Sequence, residues 1–324
     1  MKNHLTLIYV FLFLITPLNL SSQQIVDLDK MTAFNLGQIM EANNIIFIHP
    51  IDADIEGDNL FILDLRLSHI LKINAKNGTL IKIISSKGQG PAELNFPKSL
   101  RVKNDLIYVG DLGYGGIKIF DGNDGSLIKA IKMNADFDDI DVYNNGDIVL
   151  KKADPISNSL ICRFDKEGNK IGIIVKLDIP KNSLQKRGID YIRDTFVRFH
   201  LDSEDNLILL KPLRRELFKY DKNGLLLWKK AVDNPVLKEI EEKDKISIES
   251  DVVNVTRYVF NVAVNDKGNI IVGHVGGGQE FNSFGETIRI FRGKFNLNTF
   301  LYSGNKIFLI LLGGKAYIYE IPNI

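Results

Sequence analysis

Short apolar runs separated by clusters of Asn, Asp and Gly follow one another along almost the whole chain. Apolar and polar positions alternate within the runs, which predicts strands, and the polar clusters between them predict tight turns. The pattern repeats. Its first half is an Asn/Asp/Gly turn and a β-rich run: GDNLFILD (57–64), KNDLIYVGD (103–111), NNGDIVLKK (144–152), SEDNLILLK (203–211), DKGNIIVGH (266–274) and SGNKIFLIL (303–311). Its second half is a strand closing on a turn: ILKINAKNG (70–78), GIKIFDGNDG (116–125), LICRFDKEG (160–168), ELFKYDKNG (216–224), TIRIFRGK (287–294) and AYIYEI (316–321). A strand precedes each first half: IDADI (51–55), SLRV (99–102), DIDV (139–142), RFHL (198–201), NVAV (261–264) and TFLY (299–302). A fourth follows most second halves, as in TLIKII (79–84) and LLLWKK (225–230).

Six such units predict an all-β fold, a six-bladed β-propeller of four-stranded antiparallel blades. The last unit lacks a fourth strand of its own, so an N-terminal strand is expected to join the last blade and close the ring. NIIFIHP (44–50) is the segment expected to supply it, leaving no open sheet edge at the junction.

Composition fits one large globular domain. Of 324 residues, 45% are hydrophobic and 25% charged, and the net charge of +1 argues against a nucleic-acid partner. The single cysteine, Cys162, excludes an internal disulfide. Lys2 followed by the apolar run LTLIYVFLFLIT (5–16) reads as a signal peptide over residues 1–22, with the propeller occupying 23–324. Retention of the run as an N-terminal anchor is the alternative. No cysteine stands near the cleavage point, so no lipid anchor is implied. The expected location is the periplasm or the cell exterior, with no membrane span after cleavage.

The stretch KGQGPAELNFPKSLRVKNDLIYVGDLGYGGIKIFDGNDGSLI (87–128) joins a Gly-rich connector, a Phe-x-Pro-like lead-in, an I-Y-V-x-D strand and a strand ending in Phe-Asp. It resembles an NHL-type repeat. With the leader, the whole is similar to the exported six-bladed propellers of Bacteroidetes. That resemblance implies the fold but no single activity, because NHL-like propellers include protein-binding platforms as well as metal-dependent lyases and lactonases. Blade three departs from the pattern by lacking the Asp at the end of its second strand.

Sorting the loops by face locates candidate function. Turns between strands one and two, and three and four, are uniformly short. The other face receives the connectors 178–197 and 233–257 and the loops 153–159 and 275–286, a one-sidedness that points to binding. The same face receives the ends of the second strands: Asp64, Asp111, Lys152, Lys211, His274 and Leu311. The Asp residues suit Asx caps of the following turns. Lys152, Lys211 and His274, with Arg193, Arg198, Arg214 and Arg257 nearby, form a basic sector. It would favour an anionic partner, unless Glu239 and its neighbours neutralise it as a solvated rim. Tyr191, Gln279, Phe281 and Phe284 complete the expected contact set.

Alternation turns Asp52, Asp54, Asp139, Asp141, Arg101, Arg198, His200 and Asn261 toward the central channel. Asp54, Asp141 and His200 are the candidate ligands for a metal, with Ca²⁺ the oxygen-seeking choice. Arg101 and Arg198 offer the competing possibility of pairing the acids. The Gly-rich run SSKGQGPAELNFP (85–97) is expected to be an inter-blade connector rather than a phosphate cradle, since no helix follows it. Phe96 within it is expected to wedge between blades. GHVGGGQ (273–279) lacks the Lys-Ser/Thr of a nucleotide loop and reads as a flexible loop.

Two functions therefore compete. One is a monomeric, non-enzymatic envelope protein holding a protein or glycan partner, without a cofactor. The other is a metal-dependent hydrolase or lyase acting in the channel.

Overall fold

The computed structural model describes residues 24–31, 34–35, 38, 41–42, 48–133, 138–177, 189–245, 259–293, 299–311 and 315–321. The expected signal peptide and Arg257 lie outside the described residues. Six antiparallel sheets form a ring, each inner strand lying beside that of the next blade and the sixth beside the first.

Blade one comprises Pro50–Glu56, Asn59–Asp64, His69–Asn74 and Leu80–Ile84. Blade two comprises Pro97–Lys103, Leu106–Asp111, Gly116–Asp121 and Leu127–Lys132. Ile140–Val142, Ile148–Asp154, Ser159–Phe164 and Lys170–Lys176 make blade three. Arg198–Leu201, Leu207–Lys211, Glu216–Tyr220 and Leu226–Ala231 make blade four. Blade five contains Val259–Val264, Ile270–His274, Gly277–Phe281 and Thr287–Arg292. Thr299–Ser303, Lys306–Leu311 and Lys315–Glu320 are the strands that blade six draws from the C-terminal end of the chain.

An N-terminal strand does complete the sixth blade, but it is Phe34–Asn35, antiparallel to Lys315–Glu320 in the register Phe34↔Ile318. Of the segment expected there, residues 44–47 lie outside the described residues. Its last residues serve blade one instead. The amides of Ile48 and His49 are held by the Asp64 carboxylate, and Pro50 begins that blade's inner strand. A second strand, Gln24–Asp27, adds in parallel to Thr287–Arg292 and makes blade five five-stranded.

Blade five also differs from the repeat alignment. TIRIF is its fourth strand, and the third is Gly277–Phe281, drawn from the run expected to be a flexible loop. Glycine is required there because a Cβ on Gly277 would lie 1.8 Å from the Phe291 carbonyl oxygen. The expected long loop 275–286 is thus two short turns flanking a buried strand.

The core is divided among six apolar clusters, one at each seam. Leu60, Ile62 and Leu71 of blade one meet Leu301, Phe308 and Ile310 of blade six, and Ile208 and Leu210 of blade four meet Val262, Ile270 and Val272 of blade five. Neither sheet of a pair can bury its face alone, so closure of the ring is also formation of the core.

Aspartates at the ends of second strands fasten the loops. Asp64 accepts amide hydrogens from Arg66 and Leu67 in its own turn and from Ile48 and His49 in the preceding connector. Asp111 joins Gly113 to Asn95 in the same way. The matching residue in blade three is Asp154, which pairs with Ser159 as Asp64 pairs with His69 and caps Ile156 and Ser157. Blade three therefore keeps its Asp, two positions beyond Lys152.

Because Asp64 is fully buried and serves four amides, Asp64→Ala is expected to lower unfolding stability by about 2–4 kcal/mol. Asp154→Ala, which frees amides in an exposed turn, is expected to be much milder than Asp64→Ala. Chemical denaturation of the two variants beside the parent measures both.

Candidate functional site

The channel is lined by inner strands that share no backbone ladder, and side chains supply the missing bonds. Asp52 Oδ2 accepts from the Leu100 amide at 2.8 Å and Asp54 Oδ2 from the Val102 amide at 2.7 Å, joining blade one to blade two. Glu56 continues the row to the amides of Asn104 and Asp105. Asp139 and Asp141 repeat the device between blades three and four, on the amides of Phe199 at 2.9 Å and Leu201 at 2.7 Å. Arg101 of blade two spans the gap between these rows. It lies 3.0 Å from Asp52, 3.0 Å from Asp139 and 3.8 Å from Asp141.

These contacts set the charge states. Burial pushes Asp54 up to about 6 despite Arg101 and His200 nearby. Burial pushes Asp139 up to about 6 as well. Burial also opposes ionisation of Asp141, but His200 at 3.1 Å and Arg101 outweigh it and hold the carboxyl below its usual range. The same contact raises His200, although burial acts against its charge. The Nδ1 of His200 faces two oxygens, those of Asp141 and the Leu201 carbonyl, and so donates.

Of the three candidate ligands, His200 lies 3.1 Å from Asp141 and feels the charge of Asp54, but the carboxylates are not a vacant donor set. Both oxygens of Asp54 accept from amides, those of Ile55 and Val102, and both oxygens of Asp141 accept from those of Val142 and Leu201. Among the described residues no three His, Cys, Asp or Glu side chains are grouped to hold a metal. The arrangement can clamp blades together and store protons.

The expected basic sector is partly neutralised. Lys211 and Arg214 both bond Asp194, at 3.3 and 2.9 Å, on the helix Ile189–Thr195 that also carries half-buried Tyr191 and Arg193. Arg198 packs over the Phe196 ring, and Lys152 is half-buried in blade three. His274 is inside the protein rather than on its surface. Its Nδ1 meets the Val275 carbonyl at 2.8 Å and its Nε2 meets Asn234 Nδ2 at 3.0 Å, so Nδ1 carries the proton and burial keeps the ring neutral. Asn234 also bonds Gln279, equally buried, and caps the helix Pro235–Lys245 through the Leu237 amide. This network seats a helix and is closed to a partner.

Phe281 is likewise corrected: it is buried in the seam between blades four and five, with Trp228 against the same cluster. Phe284 sits in the turn between the third and fourth strands of blade five, which places it on the opposite, tight-turn face.

The long-loop face carries other side chains instead. Ile48, Phe96, Leu112, Ile156 and Ile192 are exposed there, Ile156 almost completely at 97%. Phe96, expected between blades, is 54% exposed and holds φ at +68°, a left-handed conformation unfavourable for an aromatic residue. The glycines before it do make room for a carboxylate, but for the chain's own. Glu93 accepts from the Gly90 amide at 2.7 Å and fills the space a Cβ on Gly88 would need. Lys118 closes the loop from below onto the carbonyls of Gly90 and Glu93.

No family model matches the chain, and no curated protein matches it in sequence. Solved structures do. A Bacteroides fragilis protein named as exported superposes with a TM-score of 0.56 at 12% identity, covering 88% of this chain and 87% of that one. The calcium-binding protein regucalcin of Agrobacterium tumefaciens gives 0.55 at 9%, covering 92% and 95%. A gluconolactonase of Xanthomonas campestris gives 0.53 at 14%, covering 85% and 87%. These likenesses are of fold, and they span both binding proteins and enzymes.

Asp54 and Asp139 hold protons up to about pH 6 when folded, against about 4 for a free carboxyl, so their contribution to stability falls as pH rises through that window. His200, raised on folding, contributes below the free-imidazole value and loses that contribution as pH rises through its own. His274 and His69, both lowered by burial, act the other way over part of this range, so the carboxyl contribution is read by substitution. Asp54→Asn is expected to raise the melting temperature at pH 8 relative to pH 5.5, compared with the same difference in the parent protein (pH values on either side of about 6). Thermal melts across pH give the answer.

Proposed function

We propose that the protein is a non-enzymatic binding protein of the cell envelope that holds a protein or glycan partner on its long-loop face. The carrying observation is the set of exposed apolar side chains on that face: Ile48, Phe96, Leu112, Ile156 and Ile192. They come from separate loops of blades one to four. Exposed apolar side chains presented by several loops of one face are candidate contacts for a partner. Phe96 adds a second kind of support, since its backbone strain and its exposure both cost free energy that a bound partner would offset.

The channel supports the non-enzymatic side of the reading. Its carboxylates are occupied by amides of the neighbouring blades, and an enzyme of this fold needs free groups aimed at a substrate. The NHL-like pattern of blade two and the likeness to a protein named as exported fit an envelope location. Lys98, whose Nζ lies 4.9 Å from the Phe96 ring, and Arg193 favour an anionic partner.

Replacing Phe96, Ile156 and Ile192 together by Ser is expected to abolish capture of the partner from envelope extract by the immobilised protein. Phe96→Gly alone should weaken capture while leaving the melting temperature unchanged or raising it, because glycine adopts the left-handed backbone freely. Capture that survives the triple substitution removes the reading.

A further inference from the structure

The helix Pro235–Lys245 is seated on blade five by a chain of hydrogen bonds that allows only one arrangement of protons. A Cβ on Gly276 would lie 2.3 Å from Ile240 Cδ1, so the helix rests directly on the turn after the strand Ile270–His274. Asn234 caps it. The Leu237 amide can only donate, which fixes Asn234 Oδ1 as its acceptor at 3.0 Å. Asn234 Nδ2 must then donate, at 3.0 Å to His274 Nε2 and at 3.2 Å to Gln279 Oε1. Gln279 Nε2 passes on to the Thr287 hydroxyl at 2.8 Å. His274 Nδ1 donates to the Val275 carbonyl at 2.8 Å, so Nε2 turns a lone pair toward Asn234.

A proton on Nε2 turns this acceptor into a donor aimed at another donor. Rotating the Asn234 amide does not repair the clash, because Oδ1 would leave the Leu237 amide and the helix would lose its cap. The charged groups on the surrounding elements are already paired: Lys238 with Asp233, Glu239 with Arg292 and Lys211 with Asp194. What acts on the ring is burial, which outweighs the backbone groups of Val275 and Gly278 that favour its charge. Once the helix lifts, water reaches the imidazole and it titrates near the ordinary value of about 6.5. The seated helix is therefore fully favoured above that value and loses ground as pH falls below it.

We propose that His274 and Asn234 form an acid-sensitive latch: a proton taken up on His274 Nε2 releases Asn234, and the helix Pro235–Lys245 lifts from blade five. Lifting uncovers His274 and Gln279, both buried while the helix is seated, together with Val236 and Leu237 on its underside. Leu237 belongs to the apolar seam between blades four and five, so the end of that seam opens with it. The latch lies on the long-loop face and changes the surface offered there as the surroundings acidify. It is a property of the fold and does not depend on what that face binds.

Hydrogen exchange across pH measures the latch, each rate being divided by the intrinsic rate at the same pH. Protection of the helix amides from Leu237 onward is expected to fall about tenfold per pH unit below about 6.5, until the seated imidazole titrates as well. Amides of Leu209 and Val272, in strands of the seam beneath, are not expected to follow. His274→Gln, which keeps an acceptor toward Asn234 but takes no proton, is expected to abolish the fall. In the parent protein the imidazole nitrogen shifts should report a proton on Nδ1 alone at about pH 7.5 and titrate together with the loss of protection. Protection that stays level in the parent protein overturns the proposal, whatever the variant's folding. So does a fall that persists in His274→Gln, or a neutral ring that carries its proton on Nε2.

Discussion

An inner strand in a ring of radiating sheets is paired along one edge only, and its other edge faces a neighbour that no backbone ladder reaches. Its amides must still find acceptors. Here carboxylates provide them: Asp52, Asp54 and Glu56 reach from blade one to blade two, and Asp139 and Asp141 from blade three to blade four. The charges this brings to the ring centre then require cations, which Arg101 and His200 supply. On the far arc the ring is joined differently. Asn265 reaches the Gly304 carbonyl, and the Tyr302 hydroxyl donates to Glu280 at 2.6 Å. A residue that looks like chemistry from its position is, in this protein, often the bond that keeps one blade on the next.

Most of the architecture is legible because each blade repeats the same local signals. Turn residues, β-rich runs and alternation agree in blades one to four, and the inner strands fall where RFHL, NVAV and TFLY put them. Two features escape for physical reasons. Blade five hides a strand in GGQEF, where glycine reads as a loop until the close approach of Phe291 is known. Hydropathy favours the more apolar run as the closing strand, whereas the ring is completed by Phe34–Asn35 and reinforced by QIVD. Edge pairing uses backbone groups, which hydrophobicity does not report.

The candidate site is legible in outline and misleading in detail. Alternation places the channel residues, but it does not reveal that their oxygens are spent on amides dozens of positions away. His274 and Gln279 carry polar groups that suggest a surface, yet they meet Asn234 some 40 and 45 positions earlier in a buried network. Phe96 shows the reverse error: an aromatic beside proline reads as core, and only its left-handed backbone turns it outward.

The parallel strand Gln24–Asp27 carries a consequence for how the protein comes into being. It docks on Thr287–Arg292, so the first described strand of the chain waits for one of the last. Phe34–Asn35 waits longer still, for Lys315–Glu320. Pairings of such sequence separation are slow to form, and the clasp cannot close while the C-terminal end is still being made or threaded. The protein thus has a built-in delay. Its middle blades can assemble early, but the ring shuts only once the whole chain has arrived in one place.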